Sequence, residues 1–266
     1  MKIAFWNTHN NQMINPIIAD IFYENKINLI VLAEYLADAG ELIRELQKKH
    51  IQIFPYSTSG CDRVTMFGTI RQVTPGNQNK YYSIQLINQN NILCGIHLPS
   101  PLYSGHQERR NIIIDMVLED IQKLENDLES SNTIILGDFN ENPYDAGCLS
   151  ADKFHGISSA DDAIKGSRKI MGKSFKMFYN PTWNLFGDFQ YPPGTYYHKG
   201  SHPCHSFWNL YDQVILRPSM RTYFIEKSLK IITKTQNHTL VDVYQHPRKD
   251  ISDHLPIMFE IKEALL

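Results

Sequence analysis

Asn7, Glu34, Asp138, Asn140, Asp253 and His254 are the side chains of this sequence whose types and placement could do chemistry together. They fall in four short polar clusters: Trp6-Asn7, Glu34, Gly137-Asp138-Phe139-Asn140 and Ser252-Asp253-His254. Each cluster lies at or just beyond the end of an apolar run that reads as a strand. Carboxylates and amides offer the oxygen ligands that hard divalent cations take. A histidine beside them, with an ordinary pKa of about 6.5, can give and take a proton near neutrality. The combination describes metal-assisted cleavage of a phosphate ester. No cluster carries that reading alone. Glu34 by itself is a solvated strand-end glutamate, and Gly-Asp-x-Asn is a common turn composition.

Spacing sharpens the assignment. In extended chain, residues two apart point to the same side, so Asp138 and Asn140 are expected on one face. Gly137 permits a close approach or a sharp bend. Asp138 could ligate a metal or orient a water, and Asn140 could hold a phosphate oxygen. A histidine that moves protons needs an orienting carboxylate. Asp212, which opens an apolar run, is the candidate partner for His254. His97 ends the run Asn91-Ile92-Leu93-Cys94-Gly95-Ile96. It is either a satisfied structural histidine or a donor to a phosphate oxygen.

These side chains need a scaffold that gathers strand ends. Hydrophobic periodicity predicts strands over 3–6, 28–33, 63–70, 80–88, 91–98, 133–136, 212–216, 222–226 and 257–261. The first two, if adjacent, deliver Asn7 and Glu34 to one sheet edge. Asn15-Pro16 is a good helix start, followed by Ile17, Ile18, Ile21 and Phe22 on one face. Further helices are expected over 41–50 and 106–128, the latter carrying Ile114, Val117, Ile121, Leu124 and Leu128 as one stripe. Turns are expected at Pro75-Gly76-Asn77 and over 88–91. Strands outnumber helices and hairpins are frequent, which predicts mixed sheets with helices outside them.

Composition sets the outer limits. The chain has 266 residues, 42% hydrophobic and 20% charged, which fits an ordered globular protein. Its formal net charge is −2, so no basic field covers the whole surface and a polyanion must meet a local patch. No apolar stretch approaches the ~20 residues of a membrane span, and the N-terminus has no signal-peptide layout. Cys61, Cys94, Cys148 and Cys204 are scattered, as expected of reduced thiols in a cytoplasmic protein.

The clusters, in this order and with His97-Leu98-Pro99 and Asp212, resemble the endonuclease/exonuclease/phosphatase superfamily over essentially the whole chain. The resemblance implies a four-layer α/β/β/α sandwich of two mixed, mainly antiparallel sheets, forming a single domain over 1–266. It implies Mg²⁺, or Mn²⁺, held by Glu34 and Asp253 with Asn7, Asp138 and Asn140 around it. It implies His254 paired with Asp212 as the acid/base histidine, and His97 on the scissile phosphate. Some positions depart from the pattern. His9 stands where exonuclease III-like members usually carry an acid. Leu210-Tyr211 precedes Asp212, where many members have Arg-Ile.

The segment from about 163 to 211 is distinctive. Lys165, Arg168, Lys169, Lys173 and Lys176 follow one another without an intervening acid, and aromatic residues crowd the stretch from Phe175 to Tyr211. Base and ring together suit single-stranded or distorted nucleic acid, so His9, Lys169, Lys173, Lys176 and Trp208 are substrate-binding candidates. Alternatively the rings form a small core under an insertion and the lysines are solvated. His198, His202, Cys204 and His205 lie here too, but their spacing fits structural zinc loops poorly. The expected activity is a Mg²⁺/Mn²⁺-dependent nuclease, acting as a monomer with nucleic acid as its partner. A phosphatase or phosphodiesterase for a small phosphorylated metabolite is the first rival. A non-catalytic binding protein on the same fold is the second.

Overall fold

The computed structural model describes residues 1–100, 106–189, 191–201 and 206–262. In chain order its strands are β1 (Lys2–Asn7), β2 (Leu29–Ala33), β3 (Phe54–Tyr56), β4 (Val64–Gly68), β5 (Val73–Asn79), β6 (Tyr82–Ile87), β7 (Asn91–His97) and β8 (Thr133–Asp138). Then come β9 (Gly156–Ile157), β10 (Ser167–Ile170), β11 (Lys173–Lys176), β12 (Phe178–Tyr179), β13 (Tyr196–Tyr197), β14 (Trp208–Asn209), β15 (Asp212–Leu216), β16 (Lys230–Ile231) and β17 (Ile257–Glu260). The α-helices are α1 (Asn15–Glu24), α2 (Ala39–Lys48), α3 (His106–Asp127), α4 (Ala146–Leu149) and α5 (Ala160–Ala163).

One sheet has the order β16-β17-β1-β2-β4-β3, the other β5-β6-β7-β8-β15-β12-β9. The pairs β1/β2, β7/β8 and β9/β12 are parallel and the rest are antiparallel. Period-two alternation builds the layers. Ile3, Phe5, Leu29 and Val31 face Leu93, Ile134, Leu136 and Val214 in a core between the sheets. The alternate residues Ala4, Trp6, Ile30 and Leu32 pack outward on Ile17, Ile18, Ile21 and Phe22 of α1 and Leu42 and Leu46 of α2. On the far side Ile92, Cys94, Ile96 and Ile135 pack on Ile113, Ile114, Val117 and Ile121 of α3. The result is the expected α/β/β/α sandwich of mixed, mainly antiparallel sheets. Each aliphatic side chain so buried contributes about 1.5–3 kcal/mol. Gly95 marks where the sheets come closest, since a Cβ there would lie 2.6 Å from Met66 Cε.

The helix α2 begins two residues earlier than periodicity predicts, because the Asp38 carboxylate accepts from Gly40 N at 2.8 Å and caps it. Pro75-Gly76-Asn77 is not a turn. It lies inside β5, an edge strand whose register shifts between Pro75 and Gln78, where a missing proline N–H and a bulge are tolerated. The predicted strand over 222–226 is instead flanked by 3₁₀ turns, Pro218–Thr222 and Glu226–Ser228. Pro218 pre-sets the first turn, and buried Phe224 reaches the sheet by a single bridge to Ile261. The segment over 163–211 supplies the β10–β11 and β13–β14 hairpins, and also β12, which pairs with β15 inside the larger sheet. Among the described residues no helix is long and apolar enough to cross a membrane.

A buried ion pair ties α3 to the residue that follows β15. Arg217 Nε donates to Glu125 Oε1 at 2.7 Å and Nη1 to Met177 O at 3.2 Å, while the guanidinium lies 3.9 Å over the Phe178 ring. Thr133 Oγ1 donates to the same carboxylate at 2.8 Å. Glu125→Ala leaves Arg217 buried without its anion and is expected to cost about 3–5 kcal/mol. Denaturant unfolding monitored by fluorescence checks this. Activity per folded molecule should not change.

Candidate active site

Strand register brings the predicted residues together. In the larger sheet His97 pairs with Asp138 across β7/β8, and Asp212 pairs with Asp138 across β8/β15. The three form one row at one end of the sheet. In the other sheet Asn7 ends β1 opposite Ala33, so Glu34 follows directly at the same edge. A hydrogen bond joins the sheets here: Asn7 Nδ2 donates to Asp138 Oδ2 at 3.0 Å. Gly137 is what allows β8 to run so close to β7, because a Cβ there would overlap the Ile96 carbonyl.

The turn over Ser252-Asp253-His254 is fixed by three bonds. Ser252 Oγ donates to Asn7 O at 2.7 Å and accepts from His254 N at 3.1 Å. Trp6 Nε1 donates to His254 O at 2.9 Å. Ser252 is thus a clasp between the end of β1 and the histidine. His254 Nδ1 lies 2.8 Å from Asp212 Oδ2 and 3.1 Å from Oδ1, and its Nε2 lies 3.8 Å from Asp138 Oδ2. All three side chains are buried. Burial works against a charged imidazole, but Asp212 and Asp138 outweigh it and raise the His254 pKa to about 10. Burial also raises the pKa of Asp138, against the pull of His254 and His97.

His97 behaves oppositely. Burial lowers its pKa to about 4, so it is neutral at physiological pH. Its Nε2 lies 3.5 Å from Glu34 Oε1 and 3.7 Å from Asp138 Oδ2. Asn140 donates its backbone N–H to Asp138 Oδ1 at 2.8 Å and its amide to Leu98 O at 2.9 Å, which leaves Oδ1 to face other groups. His9 Nδ1 is 3.1 Å from Asp253 Oδ1. His9, Glu34 and Asn140 all have φ near 50°, a left-handed conformation that non-glycine residues rarely adopt. Such backbone persists only where surrounding bonds enforce it. For Glu34 these are Thr8 Oγ1 and Asn10 N, which donate to its carbonyl at 2.9 and 3.0 Å.

Asp138, Asp212 and His254 also bring ligand-type atoms within 4.8 Å of one another. Within that group Nδ1 of His254 already meets the Asp212 carboxylate. Glu34 and Asp253 are outside this tight set. They line, with Asn7, His9, His97, Asp138, Asn140 and His254, one open cavity of about 1240 Å³.

No protein-family model and no curated protein sequence matches the chain. Solved structures do. The 3′ phosphatase NExo from Neisseria, bound to a product DNA hairpin, superposes with a TM-score of 0.59 at 14% identity, over 98% of this chain and 99% of that one. An AP endonuclease from Archaeoglobus fulgidus gives 0.57 at 12% identity, over 98% and 99%. An endonuclease/exonuclease/phosphatase family protein from Leptotrichia buccalis gives 0.57 at 16% identity, over the same shares. The chain has the endonuclease/exonuclease/phosphatase fold.

Lys169, Lys173 and Lys176 are exposed on the β10–β11 hairpin and do not line the cavity. Lys173 and Lys176 border a separate depression with Asp115, Glu119 and Asp152, and Lys176 Nζ is 3.1 Å from Glu125 Oε2. Trp208 also lies off the cavity, packed against Tyr197, Tyr191 and His246. Sequence spacing could not show that the lysine run folds into a hairpin against acids of α3. The aromatic-rich segment does reach the cavity, through Tyr196 and Tyr211, whose rings stack at 5.3 Å; Tyr196 lies 4.8 Å from the His254 ring. Tyr144, Asp145, Arg63, Tyr81 and Arg109 also line it and carried no sequence signal. Cys61, Cys94 and Cys148 are free thiols. His202, Cys204 and His205 of the zinc reading lie outside the described residues.

Proposed function

We propose that this chain is a metal-dependent phosphodiester hydrolase, a nuclease that cleaves DNA or RNA by attack of water in line with the leaving oxygen. The observation that carries this is the convergence of Asn7, Glu34, His97, Asp138, Asp212 and His254, far apart in sequence, on one cavity and one short row of strand ends. The structural neighbours support it as an analogy of fold, two of them being named for action on DNA or for AP endonuclease activity.

The donor set fits Mg²⁺ or Mn²⁺. It is rich in oxygen, and Asp138 is a buried carboxyl that a nearby cation would favour in its charged form. Glu34 and Asp253 are assigned as the ligands, with Asn7, Asp138 and Asn140 around them. Such an ion, when bound, neutralises charge growing on the phosphoryl oxygens. Asp212 orients the imidazole through Nδ1, so proton exchange with water or the leaving oxygen occurs at Nε2, the nitrogen turned toward Asp138. Neutral His97 donates from Nε2 to a non-bridging phosphate oxygen. Asn7 anchors Asp138, and Asn140 presents Oδ1.

A small phosphorylated metabolite or nucleotide is the second reading. The placement of Lys169, Lys173 and Lys176 away from the cavity favours it, as does the net charge of −2. Plasmid nicking and oligonucleotide cleavage, run beside nucleotide and sugar-phosphate panels with Mg²⁺, Mn²⁺ or EDTA, separate the two. The nuclease reading expects polynucleotide cleavage that EDTA abolishes. Turnover confined to small monoesters would replace it with the second reading, and no turnover of any ester would leave a binding protein.

A further inference from the structure

We propose that Arg63 and Arg109 form a clamp for a second phosphate of the substrate, beyond the one that is cleaved. The proposal rests on the phosphoester reading above and names which esters the site selects. Arg63 lies just before β4 in one sheet, and Arg109 lies on α3 behind the other, yet both guanidinium groups converge on a single ring. The guanidinium carbons lie 5.9 and 5.3 Å from the centroid of Tyr81.

Two like charges held on one ring repel each other, and among the described residues neither is ion-paired with a carboxylate. The contrast with the next residue is direct: Arg110 is buried and bound to Glu141 Oε1 at 3.1 Å. Arg63 and Arg109 are exposed and line the cavity. A guanidinium held beside a ring face keeps its N–H groups to grip an anion in two-point fashion.

The rest of the cavity makes the pair distinctive. Its lining includes four carboxylates, Glu34, Asp138, Asp145 and Asp253, and Arg63 and Arg109 are the Lys or Arg residues among its described residues. In a chain of net charge −2, fixed positive charge at the site is concentrated here. Position also matters. The Tyr81 carbonyl accepts from His97 N at 2.8 Å, so the clamp adjoins the histidine assigned to the scissile phosphate. Tyr196, by contrast, lies against His254. A ligand reaching from the arginine side to the histidine side places one phosphate at each and leaves a base or sugar against the tyrosines. The anion could be the next phosphate of a polynucleotide or the second phosphate of a pyrophosphate-linked nucleotide.

Equilibrium binding in EDTA tests this without turnover. The probes are fluorescent thymidine dinucleotides carrying the single internal linkage, the same with an added 5′-phosphate, and a pyrophosphate-linked form. The wild-type protein is expected to bind a two-phosphate probe about tenfold more tightly than the single-linkage one, the size of one charged hydrogen-bonded contact. Arg63→Gln with Arg109→Gln should erase that preference while leaving single-linkage affinity within about twofold, and the paired Lys variants should restore part of it. Preference for the 5′-phosphate probe identifies a polynucleotide, and preference for the pyrophosphate form a small nucleotide. No preference in the wild type, or a preference that survives the Gln pair, overturns the clamp. Hydrolysis of the single-linkage probe with Mg²⁺ is scored separately. Its absence counts against the hydrolase reading, while the binding preference still decides the clamp.

Discussion

His254→Ala is expected to lower kcat by about 10²–10⁴-fold, the usual contribution of a positioned acid–base group. Its main-chain bonds to Trp6 and Ser252 do not depend on the ring, so the turn should survive. The buried Asp212 carboxylate, however, loses the imidazole that pairs with it, and stability should fall as well. The double variant His254→Ala with Asp212→Asn separates the two effects. Removing the stranded charge should recover much of the melting temperature and none of the turnover. Asp212→Asn alone should be milder than His254→Ala, because it disturbs the ring's orientation and charge without deleting it. The pair also gives a readout independent of activity. Metal-free, the folded-state pKa of His254 is raised from 6.5 to about 10. Its stabilisation is therefore full below about pH 6.5 and is lost as pH rises toward 10. The wild-type melting temperature should decline over that window more steeply than that of His254→Gln. Turnover of His254→Ala close to wild type would remove this residue from the chemistry, and equal pH slopes would argue against its tight coupling to Asp212.

The sequence carried much of this site because strand ends are easy to read. Apolar runs of period two locate β1, β2, β7, β8 and β15, and the polar residue after each run lands at a sheet edge whatever the order of strands. Asn7, Glu34, His97, Asp138 and Asp212 were visible on those grounds. Their convergence follows from the family resemblance rather than from local pattern, because it depends on β7, β8 and β15 lying side by side, a long-range pairing that periodicity does not specify. Short elements were the least legible. The strands β9 and β12 have two residues each and are held by the sheet rather than by their own propensity. Pro75-Gly76-Asn77 carried turn chemistry but became part of an edge strand, because its partner β6 supplied the register. The lysine run admits either an interface or a solvated face, because charge without fold has no direction. Once β10 and β11 pair, Lys176 is drawn to Glu125 on α3. Arg63 and Arg109 pose the reverse problem. Each is an ordinary surface arginine in sequence, and only the shared Tyr81 ring makes them a pair.

Glu34→Gln is expected to weaken the dependence on Mg²⁺ or Mn²⁺ by more than tenfold and to depress turnover even at saturating metal. The exchange keeps the shape of the side chain and removes one negative charge from the candidate ion site. The carbonyl of residue 34 stays tied to Thr8 and Asn10, so the left-handed backbone that aims the side chain should persist. The amide can still meet Asn10, whose Nδ2 donates to Glu34 Oε2 at 2.9 Å. The side chain is only partly buried, at 22% exposure, which limits any cost to folding to about half a kcal/mol. Loss of metal affinity without loss of stability is therefore the signature of a ligand. A residue that merely supported the fold would show the reverse. Thermal shift against a metal titration reads affinity without turnover: the wild-type protein should gain melting temperature with added Mn²⁺, and the variant should need much more of it. Outer contacts that only orient a metal ligand typically change affinity 10- to 100-fold, so a directly bound carboxylate should fall at or beyond that range. A variant whose Mn²⁺ titration and Mg²⁺-dependent rate both overlay the wild type would take Glu34 out of the metal site and leave Asp138 and Asp253 as the carboxylates to test next.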